Sequence, residues 1–167
     1  MIDWRLHLVT SGHGPATVRA AAAAAAAGAG IVQVRAKHLL AGELLDLVLS
    51  VAGAVAEVAP TTLVIVNDRA DVAAALRNQG ISGVHVGQDD LDVRVVRELL
   101  GPDAIIGLTT GTLELIEAAN QHAEVLDYVG CGPFRATPTK DSGRTPLGLQ
   151  GFAPIVADCA VPVVAIG

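Results

Sequence analysis

The chain is 167 residues long, with 17 acidic against 11 basic side chains and a formal net charge of −6. That length suffices for one domain with its own core, and the acidic balance excludes the broad basic face that nucleic-acid binding requires. Aromatic residues make up only 2% of a half-apolar chain, so the core must be close-packed from small aliphatic side chains, and an anionic ligand must be gripped by a local cluster of bases.

Asp3 and Arg5 stand where a signal peptide needs its apolar stretch. The first strand is expected over Leu6–Thr10 and the first helix over Ala16–Ala27. The alanine run in that helix is too short to span a membrane. Then come a strand at Ile31–Arg35, a helix at Gly42–Val58, a strand at Leu63–Asn67 and a helix at Arg69–Gln79. The second half repeats the pattern: strand Gly83–Gly87, helix Asp92–Leu100, strand Ile105–Thr109, helix Thr112–His122, strand Tyr128–Gly132, helix Leu147–Asp158 and strand Val161–Ile166. Strict alternation of this kind predicts a parallel sheet with right-handed crossovers. The fold expected is a (β/α)8 TIM barrel forming a single domain over residues 1–167, truncated after the seventh strand and lacking the last helix-strand-helix. An open flavodoxin-like sheet is the alternative. Cys131 and Cys159 match no disulfide framework or metal-ligand spacing and read as reduced thiols of a cytoplasmic protein.

The chemistry-bearing residues gather at strand ends. Alternation along the second strand puts Gln33 and Arg35 on one face, and Lys37 extends that row beyond the strand. An amide, a guanidinium fork and an ammonium suit a polyphosphate, against the plainer reading of a solvated strand end. Asn67 and Asp68 close the third strand, and Gln88, Asp89 and Asp90 follow the fourth. Asp68 or Asp90 alone reads as a helix cap. A carboxylate on each of two successive strand ends, facing bases, reads instead as a magnesium site. His85 lies between Gly83 and Gly87 on one face, with the glycines leaving space around its ring; it lines the pocket or is a satisfied interior histidine. His7, His13, His38 and His122 suggest nothing beyond packing or solvation. After the sixth strand, Gly130 and Gly132 would admit a ligand to the barrel wall, and Thr137, Thr139 and Lys140 offer two hydroxyls and an ammonium from one loop.

Four motifs in order, Gln-x-Arg-x-Lys at 33–37, Asn-Asp at 67–68, Gly-x-His-x-Gly-Gln-x-Asp at 83–90 and Gly-Pro-x-x-x-Thr-x-Thr-Lys at 132–140, make the chain resemble the thiamine-phosphate synthases over essentially its whole length. The resemblance implies a transferase of thiamine biosynthesis. It would join aminopyrimidine methyl diphosphate to thiazole phosphate, with Mg²⁺ as cofactor, through a pyrimidine-stabilised carbocation. It implies that Asp68 and Asp90 hold the metal and that Arg35, Lys37, Asn67 and Lys140 bind the diphosphate. Gln33 would contact the pyrimidine, and Thr137 and Thr139 the thiazole phosphate. Thr109 stands where the family usually has serine. Arg35, Thr109 and Lys140 would thus carry the catalytic roles. No Cys/His or Ser/His pair of the nucleophilic type is present, and none is needed if charge stabilisation and positioning do the chemistry.

The chain departs from the family at Arg135, where an aromatic residue is usual, and the family's Gly-Gly turn after the seventh strand falls beyond Gly167. Two other readings are weighed against the synthase, and Gly111 and the Thr-x-Thr-Lys loop count against the first of them. One is a thiazole tautomerase, which uses a histidine where this chain has Gly111. The other is a truncated, inactive barrel that binds phosphorylated ligands. Partners are expected to be small-molecule substrates and, through the exposed strand edge, a second copy of the chain; neither a membrane nor nucleic acid is expected.

Overall fold

A computed structural model describes residues 2–136 and 145–167. The strands are β1 (His7–Val9), β2 (Ile31–Val34), β3 (Leu63–Asn67), β4 (Ile81–Val86), β5 (Ile105–Thr110), β6 (Tyr128–Cys131) and β7 (Val163–Ala165). The helices between them are α1 (Pro15–Ala26), α2 (Ala41–Val58), α3 (Ala70–Leu76), α4 (Val93–Leu100), α5 (Leu113–Asn120) and α6 (Gly148–Asp158). Every expected element is found. The largest discrepancy in a boundary is at α3, which stops at Leu76 because Gly80, at φ +84°, turns the chain directly into β4.

All neighbouring strands are parallel, and their order in the sheet follows the chain from β1 to β7. This sequential order excludes the flavodoxin-like alternative, in which the strand order reverses about a switch point. The sheet curls into a nearly closed barrel. His7 on β1 and Tyr128 on β6 meet across the lumen, with ring centroids 5.5 Å apart. Among the described residues, no helix is long and apolar enough to cross a membrane.

Strand alternation sorts the apolar residues into two cores. Val32, Val34, Val64, Val66, Val84, Val86, Ile106 and Leu108 pack outward against the helices. Ile31, Ile65, Ile105 and Tyr128 point inward, and Ile2, Trp4, Leu63 and Val164 pack against them. The N-terminal segment thus plugs the base of the barrel, with the Trp4 ring 5.1 Å from that of Tyr128. Two of the chain's four aromatic residues are therefore used in one place, where the small aliphatics cannot fill the lumen.

Arg97 organises the same end of the sheet. Its guanidinium donates to the carbonyls of Gly101, Pro102, Ala104 and Val125 and to the Asp127 carboxylate at 2.8 Å. That carboxylate in turn accepts from the Ile106 backbone N–H. One cation thereby satisfies the carbonyls that the end of α4 and the entries to β5 and β6 leave open.

Candidate functional site

At the opposite end, the C-terminal strand ends carry a connected polar row. Gln33 is 3% exposed, and its Nε2 donates to Asn67 Oδ1 at 2.8 Å across the β2–β3 pair. The Asn67 Nδ2 is buried and has no hydrogen-bond partner among the described residues. An unspent buried donor at a strand end costs free energy unless something accepts from it.

Asp68 follows at φ +63°, the only positive value at a non-glycine residue among the described residues. Its N–H donates to the His85 carbonyl at 2.7 Å, and the Arg69 N–H donates to the Asn67 carbonyl at 2.8 Å. Asp68 therefore sits at the centre of a three-residue γ-turn, a conformation that costs roughly 1–3 kcal/mol and needs its surroundings to hold it. The turn brings its carboxylate to Lys37, whose Nζ lies 2.7 Å from Asp68 Oδ2. Arg35 is half-buried. Its backbone N–H is anchored by Thr10 Oγ1 at 3.0 Å.

Neither acid is a helix cap. The N-cap of α3 is Arg69, which makes no side-chain cap, and α4 is capped by Asp92, which accepts from the Arg94 N–H. Asp90 instead turns back on its own loop and accepts from the Gly87 N–H at 2.7 Å. Gln88 reaches across to the next strand and donates to the Thr109 carbonyl at 2.6 Å. Asp68 and Asp90 thus follow two paired strands, β3 and β4. Among the described residues no group of three or more His, Cys, Asp or Glu could hold a metal. A hard cation here would need oxygens from its ligand as well, which is how magnesium is commonly bound.

His85 is 9% exposed and bonded at both nitrogens: Nδ1 lies 2.8 Å from the Tyr128 hydroxyl and Nε2 lies 2.8 Å from Thr109 Oγ1. Gly83 and Gly87 do not provide its space, contrary to expectation. A Cβ on Gly83 would strike the Ile105 backbone, and one on Gly87 would meet the Asp90 carboxylate at 3.1 Å. The space comes from Gly130, where a Cβ would lie 2.8 Å from His85 Cε1. Gly130 therefore admits the protein's own histidine, and Gly132 likewise admits the Ile166 backbone. Sequence reasoning missed Tyr128 and Thr10. The one available signal for the former was that it is the chain's single tyrosine.

His7 was expected to do no more than pack or meet solvent. Its ring nitrogens are buried without a hydrogen-bond partner. Burial pushes the imidazole from 6.5 down to about 4, opposed by the nearby Gln33 side chain, which does not reach hydrogen-bonding geometry. Above pH 6.5 both the folded and unfolded states keep it neutral. As the pH falls towards 4, the unfolded chain takes up a proton that the folded one refuses, so stability is lost. The loss below that window amounts to about 3 kcal/mol. Urea unfolding of His7→Gln is expected to show a smaller fall in stability from pH 7 to about pH 4.5 than the parent chain. An unchanged fall would show that His7 does not carry it. His13 and His38 lie 3.1 Å apart and join the loops after β1 and β2.

Thr137, Thr139 and Lys140 lie outside the described residues. The structure thus brings Gln33, Lys37, Asn67, Asp68, His85 and Thr109 into one chain of contacts along β2 to β5, with Arg35 and Asp90 on the flanking loops. A cavity of about 340 Å³ lies between α5 and α6. Leu113, Glu114, Glu117, Asn120 and Asp158 line it, away from this row and without a base among them.

A family model described as thiamine monophosphate synthase matches residues 6–167. The thiamine-phosphate synthase of Corynebacterium jeikeium is 58% identical, the alignment covering 99% of this chain and 77% of that protein. The one from Corynebacterium efficiens is 59% identical over 99% of this chain and 76% of its own length. Among solved structures, the thiamine phosphate pyrophosphorylase of Pyrococcus furiosus superposes with a TM-score of 0.79 at 29% identity, over 98% of this chain and 75% of that one. A 3-dehydroquinate dehydratase from Geobacillus kaustophilus, 15% identical with a TM-score of 0.65, shares the fold alone. On the family match along nearly its entire length, together with the strand-end row that carries the motifs, the chain belongs to the thiamine monophosphate synthase family.

Proposed function

We propose that the chain joins aminopyrimidine methyl diphosphate to thiazole phosphate, giving thiamine phosphate and pyrophosphate. The Lys37–Asp68 ion pair, held across adjacent strand ends by a strained turn, carries this reading. It pairs an acid suited to a hard cation with a base suited to a phosphate, and each satisfies the other until ligand and metal arrive.

Asp68 and Asp90 are the residues that would hold Mg²⁺. When bound, the cation supplies positive charge against the negative charge developing on the departing diphosphate. The residues fit a metal-bridged diphosphate: two carboxylates that follow paired strands for the cation, and the unspent Asn67 N–H and the Lys37 ammonium for the phosphate oxygens. Arg35, Lys37, Asn67 and Lys140 bind the diphosphate, and Gln33 meets the pyrimidine. Thr137 and Thr139 receive the thiazole phosphate. Thr109 bonds the substrate or the leaving group. The carbon–oxygen bond to diphosphate breaks first, with its electron pair leaving on pyrophosphate. The thiazole nitrogen then donates its lone pair to the pyrimidine methylene cation, forming the new carbon–nitrogen bond. No protein nucleophile takes part, so the rate comes from charge matching and orientation.

We further read the chain as a cytoplasmic enzyme whose partners are these small molecules and a second copy of itself. The test is product formation from the two substrates, with and without added Mg²⁺. Thiamine phosphate should accumulate only with the metal; accumulation unaffected by EDTA would remove the metal from the reading. No product under either condition would remove the reaction.

A further inference from the structure

The buried triplet of Tyr128, His85 and Thr109 has a direction. Tyr128 is buried in one cluster with Ile31, Ile65 and Ile105, Gly107 lies against its ring and hydroxyl, and Trp4 and His7 meet its ring through ring contacts. Its one hydrogen-bond partner among the described residues is His85 Nδ1 at 2.8 Å. Burial pushes the phenol well above its ordinary value, so it retains its hydrogen. A buried hydroxyl hydrogen left without an acceptor is unfavourable, and a neutral imidazole has one donor and one acceptor.

We propose that Tyr128 is a positioning residue: its hydroxyl donates to His85 Nδ1, His85 donates through Nε2 to Thr109 Oγ1, and the Thr109 hydroxyl hydrogen is thereby turned towards the barrel mouth as a donor. Thr109 ends this chain at the C-terminal rim of β5, where its carbonyl is already engaged by Gln88. With its oxygen accepting from His85, the hydroxyl is left to serve an acceptor on the ligand. The class of atom it selects is an anionic oxygen, such as those of a diphosphate, rather than an N–H or O–H group. Gly130 is required because any side chain there would displace the imidazole from this alignment. The chemical consequence rests on the function proposed above; the hydrogen order does not.

The two parts are tested separately. In the ligand-free full chain labelled with ¹⁵N-histidine, long-range ¹H–¹⁵N correlation reports which imidazole nitrogen carries hydrogen, and His85→Gln assigns the signal. The expected result is hydrogen on Nε2 alone, with Tyr128→Phe giving a mixture of tautomers. Hydrogen on Nδ1 alone, or on both nitrogens, in the parent chain overturns the proposal, whether or not the variant folds. In the synthase assay, Tyr128→Phe should lower kcat by roughly tenfold with little change in KM. In a Thr109→Val background it should add nothing further. An equal loss in both backgrounds overturns the positioning role. A parent chain that makes no thiamine phosphate at all, yet shows the Nε2 tautomer, rejects the reaction and leaves the hydrogen order standing.

Discussion

Asp68→Asn is expected to abolish magnesium-dependent binding of the diphosphate substrate and to lower turnover by about 10²–10³-fold. The amide variant is the informative one because asparagine is tolerated at positive φ nearly as well as aspartate. It keeps the γ-turn and removes only the charge, whereas alanine would add backbone strain at φ +63° to the loss of the carboxylate. Removing the charge also frees Lys37 from its 2.7 Å partner. Two opposite effects then compete. The base becomes more available to phosphate, while the proposed dication site loses one of its two acids. The second should dominate, since magnesium retains few protein ligands and each one lost is a large fraction of the set. Titration calorimetry with and without Mg²⁺ separates them. If Asp68→Asn binds the diphosphate as the parent does and still responds to the metal, Asp68 is a structural partner of Lys37 and no more.

The largest effect on stability is expected at Gly83. A Cβ there would enter the backbone carbonyl of Ile105 on the neighbouring strand. Backbone in the middle of a parallel sheet cannot move aside as the tip of a side chain can. Gly83→Ala should therefore cost about 3 kcal/mol or more, at or above the top of the usual overpacking range. For a chain of this size that corresponds to a fall in Tm of roughly 6–12 °C. Gly53, on the exposed side of α2 with open space around it, is the matched control. Gly53→Ala should stabilise by roughly 0.5–1 kcal/mol, because alanine is the better helix former. Equal melting temperatures for the two variants would show that the β4–β5 pairing has slack that its geometry does not reveal.

Much of this was legible before any coordinates. Lys37 and Asp68 could each be assigned to a strand end by periodicity, because alternation in β2 and β3 is a local property. Their contact could not be, since it depends on β2 lying beside β3. The same division runs through the interior. His85 was recognised as sitting on a small-residue face, but the glycine that opens space for it lies on β6, two strands away. His85 bonds to partners 24 and 43 residues distant, and nothing in the flanking sequence marks either. His7 was given only a packing or solvation role for a different reason. A three-residue strand at a sheet edge gives too little pattern to tell an inward histidine from a surface one.

The order of elements, the placement of acids, bases and amides at strand ends, and the family were all encoded locally, in short-range periodicity and in four spaced motifs. The sequential arrangement of the sheet, the ion pair across the β2–β3 ends and the buried triplet were decided only when the strands curled around a common axis. Chain periodicity determines which way a side chain faces. Only the packing of distant strands determines what it faces, and in this lumen, filled by few large side chains, that neighbour sets where each hydrogen goes.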